Sequence, residues 1–132
     1  MWSVDYQIVP GRSHLQPLAT IRLLGPKKAV PHRVLIDSGA DYCVFHVSAA
    51  QDAGISLPQI PNDYIQYGDT LVQTWRVPSY LMLGEKRIRA AVMFVERLAF
   101  SYGLLGRVGI FSHYNEIVFL ERMKRPRVEF RW

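Results

Sequence analysis

Apolar runs in this chain are short, and nearly every one is stopped by glycine, proline or a charged turn. That punctuation constrains the fold more than any other feature. It suits strands of about four to eight residues and leaves no stretch for a long helix. The run Leu18–Leu24 ends at Gly25-Pro26-Lys27-Lys28. Residues 30–36 resume as a strand, with Pro31 near the start, where a missing N–H donor is tolerated. The two runs form an antiparallel hairpin. Residues 64–67 and 71–77 flank Gly68-Asp69-Thr70, which predicts a second hairpin with its tip near Gly68. Its second arm continues through Pro78 to Leu83, and Pro78 there calls for an exposed edge or a bulge. Gly84-Glu85 turns the chain and residues 87–95 return. Residues 117–120 and 127–132 form a last hairpin across 123–126. Two short helices are expected, over 47–53 with Gly54 as its C-cap and over 108–114. The fold class is all-β, with one or two short helices.

The length of 132 residues fits one domain spanning 1–132, and no repeat, low-complexity tract or linker divides it. A single cysteine, Cys43, rules out an internal disulfide and a cysteine-rich zinc site. His14, His32, His46 and His113 are scattered without ligand spacing, so neither a metal nor a cofactor is expected. Cys43 has two readings: a nucleophile with His46 as base, or a small buried hydrophobe.

Sixteen Lys and Arg against eleven Asp and Glu leave a net charge of +5. Such a balance suits either an acidic partner or a solvated surface. The basic residues at 86–89 flank a turn. Those at 122–131 include Arg127 and Arg131, which alternate with Val128, Phe130 and Trp132 as in a strand. No nucleic-acid motif accompanies them, so a nucleic-acid partner is not indicated. No apolar run is long enough for a membrane-spanning helix, and the first residues lack a signal-peptide pattern. The composition points to the cytoplasm.

The segment richest in chemistry is Val34-Leu35-Ile36-Asp37-Ser38-Gly39-Ala40. An apolar strand delivers an acidic residue, then a hydroxyl, then glycine. If Asp37 is a catalytic carboxylate, each neighbour has a task. The strand holds the Asp rigidly. Ser38 hydrogen-bonds nearby backbone and locks the loop. Gly39 allows close approach of a ligand or a second copy of the loop, and Ala40 keeps the floor small. Taken alone, Asp-Ser-Gly is also an ordinary turn at a strand end.

A second segment, Leu104-Leu105-Gly106-Arg107, follows an apolar strand and precedes a short helix. Together the two resemble the retropepsin-like aspartic proteases, the single-domain enzymes of retroviruses and their cellular relatives. That family carries apolar–apolar–Asp–Thr/Ser–Gly–Ala, here Leu35 to Ala40. Later it carries apolar–apolar–Gly, often followed by Arg, here Leu104 to Arg107. The resemblance extends over residues 16–121. It implies a closed, barrel-like acid-protease fold with a flap hairpin at Tyr67, Gly68 and Asp69. It also implies that Asp37 is catalytic, with Ser38, Gly39, Ala40, Asp41, Leu105, Gly106 and Arg107 supporting the loop and Asp41 pairing with Arg107. The chain departs from the viral pattern in having Ser38 for the commoner Thr, a single glycine near the flap tip and a longer final segment.

Aspartic proteolysis uses two carboxylates sharing one proton. None of Asp5, Asp41, Asp52, Asp63 and Asp69 is followed by Ser-Gly or Thr-Gly. The resemblance therefore implies a homodimer, with Asp37 from each chain, acting on a peptide or protein substrate. Terminal strands, around 15–18 and 128–132, are expected at the dimer interface. Trp75, Tyr67 and Tyr80 read either as substrate subsites or as cross-strand packing. The alternatives are a non-catalytic dimerisation or peptide-binding module of the same fold, and a basic domain associated with nucleic acid.

Overall fold

A computed structural model describes all 132 residues apart from the side chain of Tyr67. The strands are β1 (Trp2–Asp5), β2 (Leu18–Leu24), β3 (Ala29–Ile36), β4 (Cys43–His46), β5 (Asp63–Tyr67), β6 (Thr70–Leu83), β7 (Lys86–Val95), β8 (Gly103–Leu105), β9 (Glu116–Leu120) and β10 (Arg127–Arg131). One α-helix, α1 (Val47–Ala53), follows β4. The larger sheet runs β2-β3-β8-β4-β7-β6-β5, and β2 also pairs with β6. That extra pairing closes a six-strand barrel and leaves β5 outside it as the free arm of the β5–β6 hairpin. A separate three-stranded sheet, β1-β10-β9, covers one end.

Alternation builds the barrel core. Ile21 and Leu23 of β2, Val34 and Ile36 of β3, Leu81 and Leu83 of β6, and Ile88, Val92 and Phe94 of β7 point inward and are buried. The three-stranded sheet adds Val128 and Phe130, with Trp2, Val4, Ile117 and Phe119 on the same face. Its outer face is held by charge: Arg131 bonds Glu129 at 2.9 Å and Glu116 at 3.0 Å. The Arg131 and Arg127 guanidiniums hold the Glu129 carboxyl below the usual carboxylate range, against the opposing effect of burial.

Helix α1 forms as expected. His46 Nδ1 accepts from the Ser48 N–H at 3.1 Å, so Nε2 carries the ring proton and donates to the Glu96 carbonyl at 2.9 Å. Gly54 ends the helix in a left-handed conformation, and Ala49, Ala50 and Ala53 turn into the core. The helix expected over 108–114 shrinks to a 3-10 turn, Phe111–His113. Gly109 takes φ +79°, outside helical geometry, and breaks the run at its start. Pro78 pairs with Ala91 on β7, while the opposite edge of β6 is vacant between its contacts with β5 and β2. The missing donor therefore removes no ladder bond.

Residues 127–131 form β10, the middle strand of its sheet, paired on both edges within the chain. Phe130 is fully buried between Trp2, at 4.8 Å between ring centroids, and Tyr114, at 5.0 Å. The pairing of β1 with β10 could not be read from the sequence, since the two lie at opposite ends of the chain and neither names its partner.

His32, on β3, leans on Phe45, and its buried Nε2 has no partner among the described residues. Burial pushes its pKa below the ordinary value, partly opposed by Asp52. The unfolded chain therefore takes up this proton more readily than the folded one. Stability should fall as pH drops through about 6.5 and level off below the depressed folded value. In urea unfolding between about pH 7 and pH 5, His32→Phe is expected to lose that part of the slope.

Candidate active site

Strand β8 organises the site. It lies parallel to β3, with Leu104 opposite Leu35 and Leu105 opposite Ile36, and antiparallel to β4 at Val44. A strand held between the two arms of the Asp37 loop fixes both ends of that loop. The Asp37 N–H donates to the Leu105 carbonyl at 3.1 Å. Arg107 N–H donates to the Ala40 carbonyl at 2.9 Å and Val108 N–H to the Asp41 carbonyl at 2.7 Å.

Gly106 is the tightest joint in this clasp. A Cβ there would lie 2.4 Å from the Tyr42 carbonyl carbon and oxygen and 2.8 Å from its nitrogen. All three are backbone atoms, which cannot rotate aside. Gly106→Ala should therefore push β8 off the loop and cost about 1–3 kcal/mol, as overpacking does. A drop in urea midpoint at constant slope is the expected reading.

Within the loop, Gly39 N–H donates to Asp37 Oδ1 at 2.9 Å and Ala40 N–H donates to the Asp37 carbonyl at 3.2 Å. The carboxylate thus holds its own turn. A Cβ on Gly39 would come within 3.3 Å of the same Oδ1, so glycine keeps that space open. Asp37 is half-buried, while Ser38 and Gly39 are exposed. Among the described residues the Ser38 hydroxyl makes no hydrogen bond. The lock expected of it is made by the Asp37 carboxylate and the backbone, because Ser38 faces outward.

Asp41 and Arg107 differ from expectation in the same way. No ion pair joins their side chains among the described residues, and both side chains are exposed. The two segments are tied by the backbone bonds of Ala40 and Asp41 instead.

A cleft of about 590 Å³ opens between this loop and the β5–β6 hairpin. Asp37, Gly39, Ala40 and Asp41 form its floor, and Ile65, Gln66 and Arg76 face them from the hairpin. Gly68 takes φ +56° at the turn, where glycine is the residue at ease. Gly68 and Asp69 are exposed at the tip and are not among the cleft-lining residues. The side chain of Tyr67, also expected at the flap, lies outside the described residues.

The sequence did not single out Asp63 and Arg76, which line the cleft and pair at 3.3 Å. Asn62 braces them by accepting from the Arg76 N–H at 2.7 Å and donating to its carbonyl at 3.1 Å. The available signal was weak, since Asp63 falls just before the expected first arm, 64–67, while Arg76 falls in the second. Trp75 and Tyr80 have packing roles. Trp75 packs against the core and donates to the Pro58 carbonyl at 2.8 Å, and Tyr80 lies under Arg87 at 4.0 Å. Cys43 is fully buried, and burial pushes its thiol up to about 11, so it behaves as a small hydrophobe. The His46 ring is committed to Ser48 and Glu96.

A closed barrel with an Asp-Ser-Gly loop, clasped by an inserted strand and faced by a hairpin, is now in place for comparison with known structures. Among solved structures the chain is similar to a retropepsin-like aspartic protease from Rickettsia conorii, at 11% identity and TM-score 0.67, over 98% of this chain and 99% of that one. It is also similar to EIAV protease in complex with an inhibitor, at 17% identity and TM-score 0.56, over 76% of this chain and 88% of that one. No protein-family model matches the chain, and no curated protein does. The likeness shows that the chain has the retropepsin fold.

Proposed function

We propose that the chain is one half of a homodimeric aspartic endopeptidase, with residues 1–132 forming a single domain that supplies one of the two catalytic carboxylates. The observation that carries this reading is the position of Asp37: half-buried, on a loop fixed at both ends, at the floor of a cleft faced by a hairpin. The retropepsin fold supports it, and one structural neighbour is an inhibitor-bound protease.

One chain supplies one such carboxylate, and the chemistry needs two. Two carboxylates about 3 Å apart cannot both ionise, so the pair holds one proton. The ionised member takes a proton from a water between them as the water attacks the peptide carbonyl. The protonated member donates to the carbonyl oxygen. The resulting gem-diol then collapses. The first carboxyl returns its proton to the amide nitrogen, the second takes one from a gem-diol hydroxyl, and the C–N bond breaks. Acid and amine are released with no covalent enzyme intermediate, and the pair is left with one proton. The cleft walls, with Ile65, Met93 and Leu104 beside Asp41 and Arg76, would take an extended peptide through both apolar and polar contacts.

The other reading, a peptide-binding module without catalysis, draws on the exposed hairpin tip, which has a single glycine. A peptide-library digestion at mildly acidic pH separates the two. The endopeptidase is expected to cleave, to have a specific activity that falls on dilution, and to bind a statine-type transition-state mimic. Binding of peptides with no cleavage at any concentration favours the module.

A further inference from the structure

A second cavity, of about 550 Å³, shares none of its lining residues with the Asp37 cleft. Three elements wall it. His32 and Arg33 come from β3, Phe45 and His46 from the end of β4 with the first turn of α1 behind them, and the third side is the segment 96–103 that leads from β7 into β8. Pocket and cleft lie back to back across β4 and β8. Phe45 and Gly103 line the pocket, while their strand neighbours Val44 and Leu104 line the cleft, as successive strand residues face opposite sides.

Two features of the walls point to a ligand. The first is unpaired positive charge. Arg33 and Arg97 both line the pocket, and neither has a carboxylate within ion-pair distance among the described residues. Arg33 donates only to the Ile8 carbonyl among the described residues, at 3.4 Å, which is long for a hydrogen bond. Glu96 is the one carboxylate among the lining residues, so the guanidiniums outnumber it. The second is a preformed aromatic surface. Phe100 stacks on buried Tyr102, with centroids 5.1 Å and planes 6° apart, yet it is 39% exposed. A ring held by a buried partner at the wall of a cavity offers aromatic surface to another ring.

We propose that this pocket binds a small aromatic acid, its ring against Phe100 and its carboxylate or phosphate held between Arg33 and Arg97. The planar guanidinium fork matches either anion. Ligand pockets of about 300–1,000 Å³ with aromatic walls and a few charged groups hold small molecules. Walls on three sides suit a compact molecule over an extended peptide. Binding here is independent of the protease reading, since Asp37 and its loop take no part.

The test is amide NMR of the full chain titrated with benzoate, phenyl phosphate and the neutral benzyl alcohol. At least one of the two acids is expected to shift the Ser101 and Gly103 signals saturably, with half-saturation below about 10 mM. Arg33→Gln and Arg97→Gln are each expected to weaken that binding at least about tenfold. Benzyl alcohol is expected to bind at least about tenfold more weakly than the better acid. Tighter binding of benzoate assigns the site to a carboxylate, and tighter binding of phenyl phosphate assigns it to a phosphate. If Arg33→Gln loses its fold, Arg97→Gln decides, since Arg97 lies on an exposed segment outside the strands. Saturable shifts confined to Gly39 and Asp41 would put the acid in the Asp37 cleft and overturn the proposal. So would benzyl alcohol binding as tightly as the acids, acid binding unmoved by the arginine variants, or no saturable shift with any of the three.

Discussion

Asp37→Asn is expected to abolish peptide cleavage while the protein keeps its fold and its self-association. Asn has nearly the shape of Asp, and its carbonyl oxygen can accept the same 2.9 Å bond from the Gly39 N–H. The backbone bonds from Asp37 to Leu105 and from Ala40 to Asp37 do not involve the side chain. The loop therefore survives the change. What is lost is an oxygen able to take a proton from water, and positioned acid–base groups contribute about 10²–10⁴-fold to rate. A loss of at least that size is expected in initial rates on a cleaved peptide. Dimerisation should not weaken, because Asn keeps the size of Asp and the loop keeps its backbone bonds. Adding the variant to wild-type enzyme should reduce activity faster than the wild-type fraction falls, because mixed pairs hold one competent carboxylate. Undiminished cleavage by pure Asp37→Asn would falsify the assignment.

Much of the barrel was legible because its rules are local. Runs ended by Gly25-Pro26, Gly68 and Gly84 fold as hairpins, and turn chemistry fixes register between neighbours in sequence. The small residues at 49–53 with Gly54 behind them fold as a helix for equally local reasons. The segment around Asp37 was legible through its resemblance to a known pattern, as was the later Gly106 segment.

Long-range contacts were not legible. Nothing in Trp2–Asp5 announces β10 as its partner, and that pairing decides which edge of the end sheet stays open. Side-chain partners across the site were also misjudged. The expected tie between Asp41 and Arg107 falls one level down, to backbone groups that every residue type supplies. Sequence patterns report which residues must be small or apolar, as Gly106 must be, but not which polar atoms satisfy one another in three dimensions.

Phe130→Ala separates a core residue from an interface residue by the size and form of its effect. The ring has no exposed surface and packs between Trp2 and Tyr114 in the main core. Removing it should cost about 3–5 kcal/mol, the range for aromatic truncation in a packed interior. That is a large share of the roughly 5–15 kcal/mol that holds an ordinary domain folded. The variant is expected to unfold at much lower urea concentration, with an unchanged slope if the barrel still melts as one unit. The loss should persist at protein concentrations where the wild-type chain is monomeric, since Trp2 and Tyr114, which flank the ring, belong to the same chain. An interface residue behaves differently: its truncation leaves the monomer's stability intact and shifts only association. A Phe130→Ala monomer as stable as the wild-type monomer would place the ring at a subunit contact and overturn its assignment to the core.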